Sequence, residues 1–345
     1  MPGPAPFSEY EVPAPPRDPI SALAFYRDAS SPRAQQLLVA SWDKFVRLYD
    51  LSRCAADAAD APVLQSFEHP AAVLDVCWIS ESLAASACLD RRVRLLLSGS
   101  WDATLKLWDP VTPDAYLRHT IPLPGKVFAM DTVSTQSTPA SPRLVVAMPD
   151  RAVYVYSLLA LRRAVDADAT DEAAYAPEQK RESSLKFMLR DVRCMPDGVG
   201  YATSSVEGRV AVEFFDPGAE AQAQKYAFKC HRKEVDGVDV VYPIHAMAFH
   251  PIYGTFATAG GDAHCALWDP VAKKRIRQYA LPSPLSAAAF SADGALFAVA
   301  SGGENMDGAG AESAPGASAP GSLGHVKIHV KPATEEAKPK VKGAK

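Results

Sequence analysis

The sequence predicts an all-β fold assembled from copies of one unit of short strands. Three observations carry this expectation. Apolar and polar residues alternate over short runs, as in RVAVEFF at 209–215 and KYAFKC at 225–230, which is the period of a half-buried strand. Gly, Pro, Asp and Ser separate these runs at turn spacing. A strand ending also recurs: FVRLYD closes at Asp50, LKLWD at Asp109, VYVYS at Ser157, VEFFD at Asp216 and ALWD at Asp269. The intervals are 59, 48, 59 and 53 residues, a scale of self-similarity that marks a solenoid, propeller or array.

A Ser/Gly-rich or acid-bearing turn stands before each ending: SWD at 41–43 and 100–102, MPD at 148–150, SSVEG at 204–208 and GGD at 260–262. One such unit cannot bury both of its faces. A ring of units does so and shields most strand edges, so a β-propeller of four-stranded blades is expected.

Taken in order, residues 1–19 form a Pro-rich arm in which Phe7, Tyr10 and Val12 suit a short closing strand. Residues 20–330 are read as the propeller. Its first unit shows SALAFY, QLLVASWD and KFVRLYDL, the last two joined by a turn at Trp42–Asp43. Only residues 91–100 separate the turn-like Leu89–Asp90 of blade two from Trp101–Asp102 of blade three. Repeats of this kind run to about 40–45 residues, so the outer strand of blade two and the inner strand of blade three are expected to be missing. An interrupted gene product and a six-bladed ring are the two readings of that gap. The Ala/Asp-rich stretch 163–177 and the Gly/Ala/Ser/Pro-rich stretch 305–324 read as solvent loops. HVKIHV at 325–330 alternates like a strand returning to the last blade, and residues 331–345 read as a charged, disordered tail.

Composition narrows the function classes. Hydrophobic residues make up 48% and charged residues 22% of the chain, as in ordinary globular proteins. Net charge is −4, so anion affinity has to come from a local patch, and a nucleic-acid partner is not expected. The cysteines at 54, 77, 88, 194, 230 and 265 form no CxxC pair, so neither a metal nor a cofactor is expected. The N-terminal residues carry no signal-peptide pattern, which points to a reducing intracellular compartment. No apolar run reaches membrane-spanning length. His69 with Asp75 and Ser100 with Asp102 are read as turn networks rather than catalytic groups, and no phosphate-cradling glycine motif is present.

SWDKFVRLYD, GSWDATLKLWDP, RESSLKF at 181–187, EGRVAVEFFDP, KYAFKCHR and GGDAHCALWDP together resemble the WD40 family of the spindle checkpoint, whose members partner the budding-uninhibited-by-benzimidazole kinases. The resemblance runs roughly from Ile20 to Ser301. A nuclear-pore mRNA-export family shares parts of it and is the alternative. The resemblance implies a seven-bladed, non-enzymatic scaffold of the nucleus and mitotic kinetochore. Its implied partners are checkpoint kinases carrying a short Glu-containing motif, a kinetochore scaffold with phosphorylated Met-Glu-Leu-Thr repeats, and inhibitors of the anaphase-promoting complex.

The candidate site lies in the most basic stretch, 179–250. Arg209 stands near its turn, Arg232 where the KYAFKC strand leaves the sheet, and Arg190 and Arg193 are read into the blade before. If adjacent blades present these ends on one rim, the four cations converge, and guanidinium forks suit carboxylate and phosphate. By resemblance, Arg193, Arg209, Lys229 and Arg232 sit at the matching basic positions, and Trp42 and Trp101 match turn tryptophans near the peptide path. The plain alternative is that these cations are solvated or paired with Glu207, Glu213 and Asp216, and that the tryptophans are packed turn residues.

Overall fold

The computed structural model describes residues 5–6, 10–52, 63–78, 84–88, 97–108, 117–132, 142–302 and 326–339. Phe7, the stretch 305–324 and the last six residues lie outside them. The described fold is all-β, built of antiparallel propeller blades whose strands pair in chain order, except that Ala5–Pro6 joins Lys274–Ala280 in parallel and Tyr10–Glu11 joins Lys327–Pro332. The chain divides into two compact units, Met1–Arg92 with Ala257–Trp268 and Arg275–Lys345, and Val93–Phe256 with Asp269–Lys274.

In the first unit, Ile20–Phe25, Gln36–Ser41, Phe45–Asp50 and Val63–Glu68 form the first blade. The last blade consists of Leu285–Phe290, Leu296–Ser301 and Lys327–Pro332, with Tyr10–Glu11 as its fourth strand, in register Tyr10↔Val330. The N-terminal arm thereby occupies what would be an open edge. Alternation along the strands supplies two apolar faces, and Leu37, Val39 and Tyr49 meet Ala298, Ala300 and Ile328 in one buried cluster. Val73–Trp78 and Ala84–Cys88 pair as a two-stranded sheet on the first blade, where Trp78 meets Tyr26 edge-on at 5.2 Å.

The second unit holds a three-stranded sheet, Leu97–Gly99, Thr104–Trp108 and Leu117–Pro122. Two complete blades follow: Ala129–Thr132, Arg143–Ala147, Ala152–Ser157 and Gln179–Glu182, then Leu189–Cys194, Gly200–Ser205, Arg209–Phe214 and Tyr226–Lys229. Carboxylates tie neighbouring inner strands. Asp131 accepts from the Cys194 N–H at 2.7 Å, and Asp191 accepts from the Met247 N–H, in Ile244–Phe249, at 2.7 Å. The tryptophans of the recurring ending have a structural task. Trp108 donates to Ser98 and Trp268 to Thr258, both at 2.9 Å and both across ten residues.

The partial blades follow the gap read in the sequence. Among the described residues blade three lacks its inner strand, and blade two lacks its third strand as well as its outer one. Two expectations are corrected. Residues 163–177 are not a solvent loop: they finish the helix Leu158–Asp166 and include the 3-10 turn Glu172–Tyr175, burying Ala164 and Tyr175 beside Leu161 in the core of the second unit. Stacking of Tyr175 on His119 at 3.6 Å and the Arg118–Asp168 ion pair fix the insert. Nor is the tail disordered through its first residues. Ala333 and Ala337 are buried, and Glu336 meets Tyr279, Arg277 and Lys331.

Candidate functional site

The site is organised by the turn Val206–Gly208. Gly208 has φ +65°, and a Cβ there would fall 2.5 Å from the Cys230 carbonyl oxygen and 3.0 Å from those of His231 and Tyr242. Only glycine fits so close to three backbone oxygens. The Cys230 N–H closes the contact by donating to the Gly208 carbonyl at 2.8 Å. This clamp holds the start of Arg209–Phe214 against the end of Tyr226–Lys229, and the register places Arg209 directly opposite Lys229. Directly opposed residues share one face of the sheet, so two cations stand side by side. Lys229 is exposed and Arg209 partly so.

Glu207 joins a third cation to them. Its carboxylate lies 3.5 Å from the Arg209 Nε, and its carbonyl accepts from Arg232 at 2.9 Å. Arg232 also pairs with Asp239 at 2.7 Å. Three cations and two carboxylates leave the cluster net positive. Phe187 and Met188 are 57% and 48% exposed. The Met188 carbonyl accepts from the Val206 N–H at 3.1 Å, which sets the backbone of this pair beside the same turn. Sequence reasoning missed both, because an apolar pair leading into a strand reads as core. Their signal is position: they end the connection between two outer-to-inner strands.

Arg190 and Arg193 are not in the blade before; they stand on the inner strand of the same sheet as Arg209 and Lys229. Arg193 pairs with Ala202, which pairs with Val212, three residue rows from Arg209. That is about 10 Å along the strands and about 10 Å across them. Its Nε donates to the Met247 carbonyl at 3.0 Å and lies 3.3 Å from Asp191. Arg190 meets His245 at 2.8 Å. Burial pushes the Asp191 carboxyl up to about 6, against the pull of Arg193 and the two amides it accepts from. Arg193 thus belongs to a clasp between inner strands, while Arg209 and Arg232 meet at Glu207 and Lys229 stands opposite Arg209 in the register.

Of the tryptophans, Trp42 lies in the first unit, 48% exposed, in a cleft of about 550 Å³ with Arg17, Asp43, Lys44, Phe45 and Arg47. Trp101 lies in the second unit, 69% exposed, with the Lys126 ammonium 5.1 Å over its ring. Its contact is with Lys126, not with the converging cations. Neither tryptophan is a packed turn residue. The ion pairing foreseen with Glu207 occurs; Glu213 is instead buried and accepts from the Tyr201 hydroxyl at 2.7 Å.

The family model for the WD domain, G-beta repeat, matches residues 62–109. Mitotic checkpoint protein BUB3.1 of Arabidopsis thaliana is 42% identical over 324 residues, covering 84% of this chain and 86% of that protein. Mitotic checkpoint protein bub3 of Dictyostelium discoideum is 35% identical, covering 85% and 88%. A Poly(A)+ RNA export protein of Schizosaccharomyces pombe is 32% identical, covering 85% and 83%. With its blades, its tryptophan-ended strands and these relatives, the chain belongs to the mitotic checkpoint family of WD40 propeller proteins.

Proposed function

We propose that this chain is a non-enzymatic scaffold of the spindle assembly checkpoint, working in the nucleus and at mitotic kinetochores. It binds checkpoint kinases through their short Glu-containing motif and recruits them to phosphorylated Met-Glu-Leu-Thr repeats of a kinetochore scaffold. One observation carries the reading: Arg209 and Lys229 are direct cross-strand partners. Like charges placed opposite each other cost stability, and a phosphate or carboxylate seated between them removes that cost. Charge-assisted hydrogen bonds to such an anion are the strong ones. Phe187 and Met188 offer apolar contact to residues flanking the anion.

The second reading, an mRNA-export factor binding a nucleoporin motif, draws on the Poly(A)+ RNA export relative. Pull-down from mitotic extract separates the two. Wild-type chain is expected to recover checkpoint kinases and the phosphorylated scaffold, and Arg209→Ala and Lys229→Ala to lose the scaffold. Recovery of a nucleoporin without kinases supports the second reading and overturns the first.

A further inference from the structure

The segment that leaves the Arg209–Lys229 blade folds back on itself. Arg232–Val235 and Val238–Val241 pair as a two-stranded ribbon, from Arg232↔Val241 to Val235↔Val238. Its turn, Asp236–Gly237, has φ of 51° and 79°, the type I′ hairpin geometry. Hydrogen-bonded and non-hydrogen-bonded pairs alternate down such a ribbon from the pair that closes the turn. The Tyr242 N–H donating to the His231 carbonyl at 3.0 Å keeps that phase. The backbone N–H and C=O of Asp239 and Val241 therefore point off the outer edge, and among the described residues no third strand meets them. Lys233, Val235, Val238 and Val240 share one face, with Val235 41% and Val238 63% exposed. A ribbon with a bare edge and a bare apolar face is marginal alone and is a template for strand addition.

The Arg232 side chain, on the opposite strand, donates to the Glu207 carbonyl and ties the ribbon to the Gly208 turn. We infer that the Val238–Val241 edge takes up an extended peptide segment as a third strand, with aliphatic side chains over Val238 and Val240. That segment is continuous with the anionic residue held at Arg209 and Lys229; this last clause rests on the function proposed above. Two observations favour a peptide of that kind over a second copy of the chain. Only Cys230 and His231 separate Lys229 from the ribbon. Arg232 neutralises Asp239 on the receiving edge, and Lys233 stands on the apolar face to meet an acid of the added strand.

The test uses the full chain and three probes: a Met-Glu-Leu-phosphothreonine peptide, the same peptide lengthened by a Thr-Val-Thr-Val-Thr segment at either end, and the lengthened peptide without its phosphate. Amide hydrogen exchange is expected to slow at Asp239 and Val241 with a lengthened probe and not with the short one. Val241→Pro removes only an outward N–H, which an edge strand tolerates. It is expected to weaken the lengthened probe about tenfold, the loss of one or two hydrogen bonds, and to leave the short probe unchanged. Unprotected amides at saturating lengthened probe, or equal affinities of wild type and Val241→Pro, overturn the inference. Protection that grows with protein concentration alone assigns the edge to a second copy and overturns it too. If the short probe fails to bind, protection by the lengthened unphosphorylated peptide upholds the strand addition and sinks only the anion site.

Discussion

Replacing Lys229 by Met should move stability and binding in opposite directions. The methionine keeps an unbranched apolar stem and removes the charge facing Arg209 across the sheet. An opposed like-charge pair costs about 0.2–1 kcal/mol, so Lys229→Met is expected to raise the unfolding free energy by a few tenths of a kcal/mol, and not to lower it. A hydrogen bond to a charged group contributes about 1.5–3 kcal/mol, so the same change should weaken a phosphothreonine peptide about 10- to 150-fold. Urea denaturation followed by tryptophan fluorescence reads the first effect, and anisotropy of a labelled peptide reads the second. The gap between wild type and variant should narrow as salt rises, because exposed charges are screened. A variant that binds the phosphopeptide as tightly as wild type, or that loses stability in step with binding, refutes the reasoning: Lys229 would then be an ordinary structural residue.

Other outcomes follow from the same geometry. Gly208→Ala forces a left-handed Cβ into the Cys230 carbonyl, and is expected to cost about 2 kcal/mol or more and to weaken phosphopeptide binding by displacing Arg209; unchanged melting and affinity would contradict the clamp. Asp191 carries a carboxyl raised from 3.8 to about 6 by burial. Its ionised form is the one the fold disfavours, so wild type should lose up to about 3 kcal/mol as pH climbs between those values, with no further change above them. Asp191→Asn should flatten that slope, and parallel stability–pH curves for the two proteins would rule the effect out. Glu336→Gln, which removes the charge that Arg277 and Lys331 face, is expected to cost about 1–3 kcal/mol and to raise proteolysis of the C-terminal residues; protease resistance equal to wild type would argue against the tail's anchoring.

The blades were legible because each repeats a period-two pattern closed by the same ending, and the physics of that ending is local: a third-strand tryptophan reaching a second-strand hydroxyl, as Trp108 does Ser98. Arg209, Lys229 and Arg232 were legible as strand-end cations. Their convergence is expected between neighbouring blades but arises within one, through the Gly208 clamp and a register that no single strand encodes. Arg193 was misplaced for the same reason. Its own strand pattern is right, but its assignment to a sheet requires knowing where Gly200–Ser205 pairs. The insert at 163–177 misled by composition: Ala and Asp suggested solvent, while Ala164 and Tyr175 at helical and turn spacing found apolar neighbours that only the tertiary fold supplies. The ribbon edge and the Phe187–Met188 pair were invisible because exposure is a property of the assembled sheet.

Titration of the intact chain with a Met-Glu-Leu-phosphothreonine peptide and its unphosphorylated twin, in one buffer at low and at physiological salt, reaches the cation pair most directly. The phosphorylated peptide should bind at least about tenfold more tightly at low salt, with the difference shrinking as salt is added. Equal affinity for the two peptides at both salt concentrations would mean that Arg209 and Lys229 do not hold a phosphate.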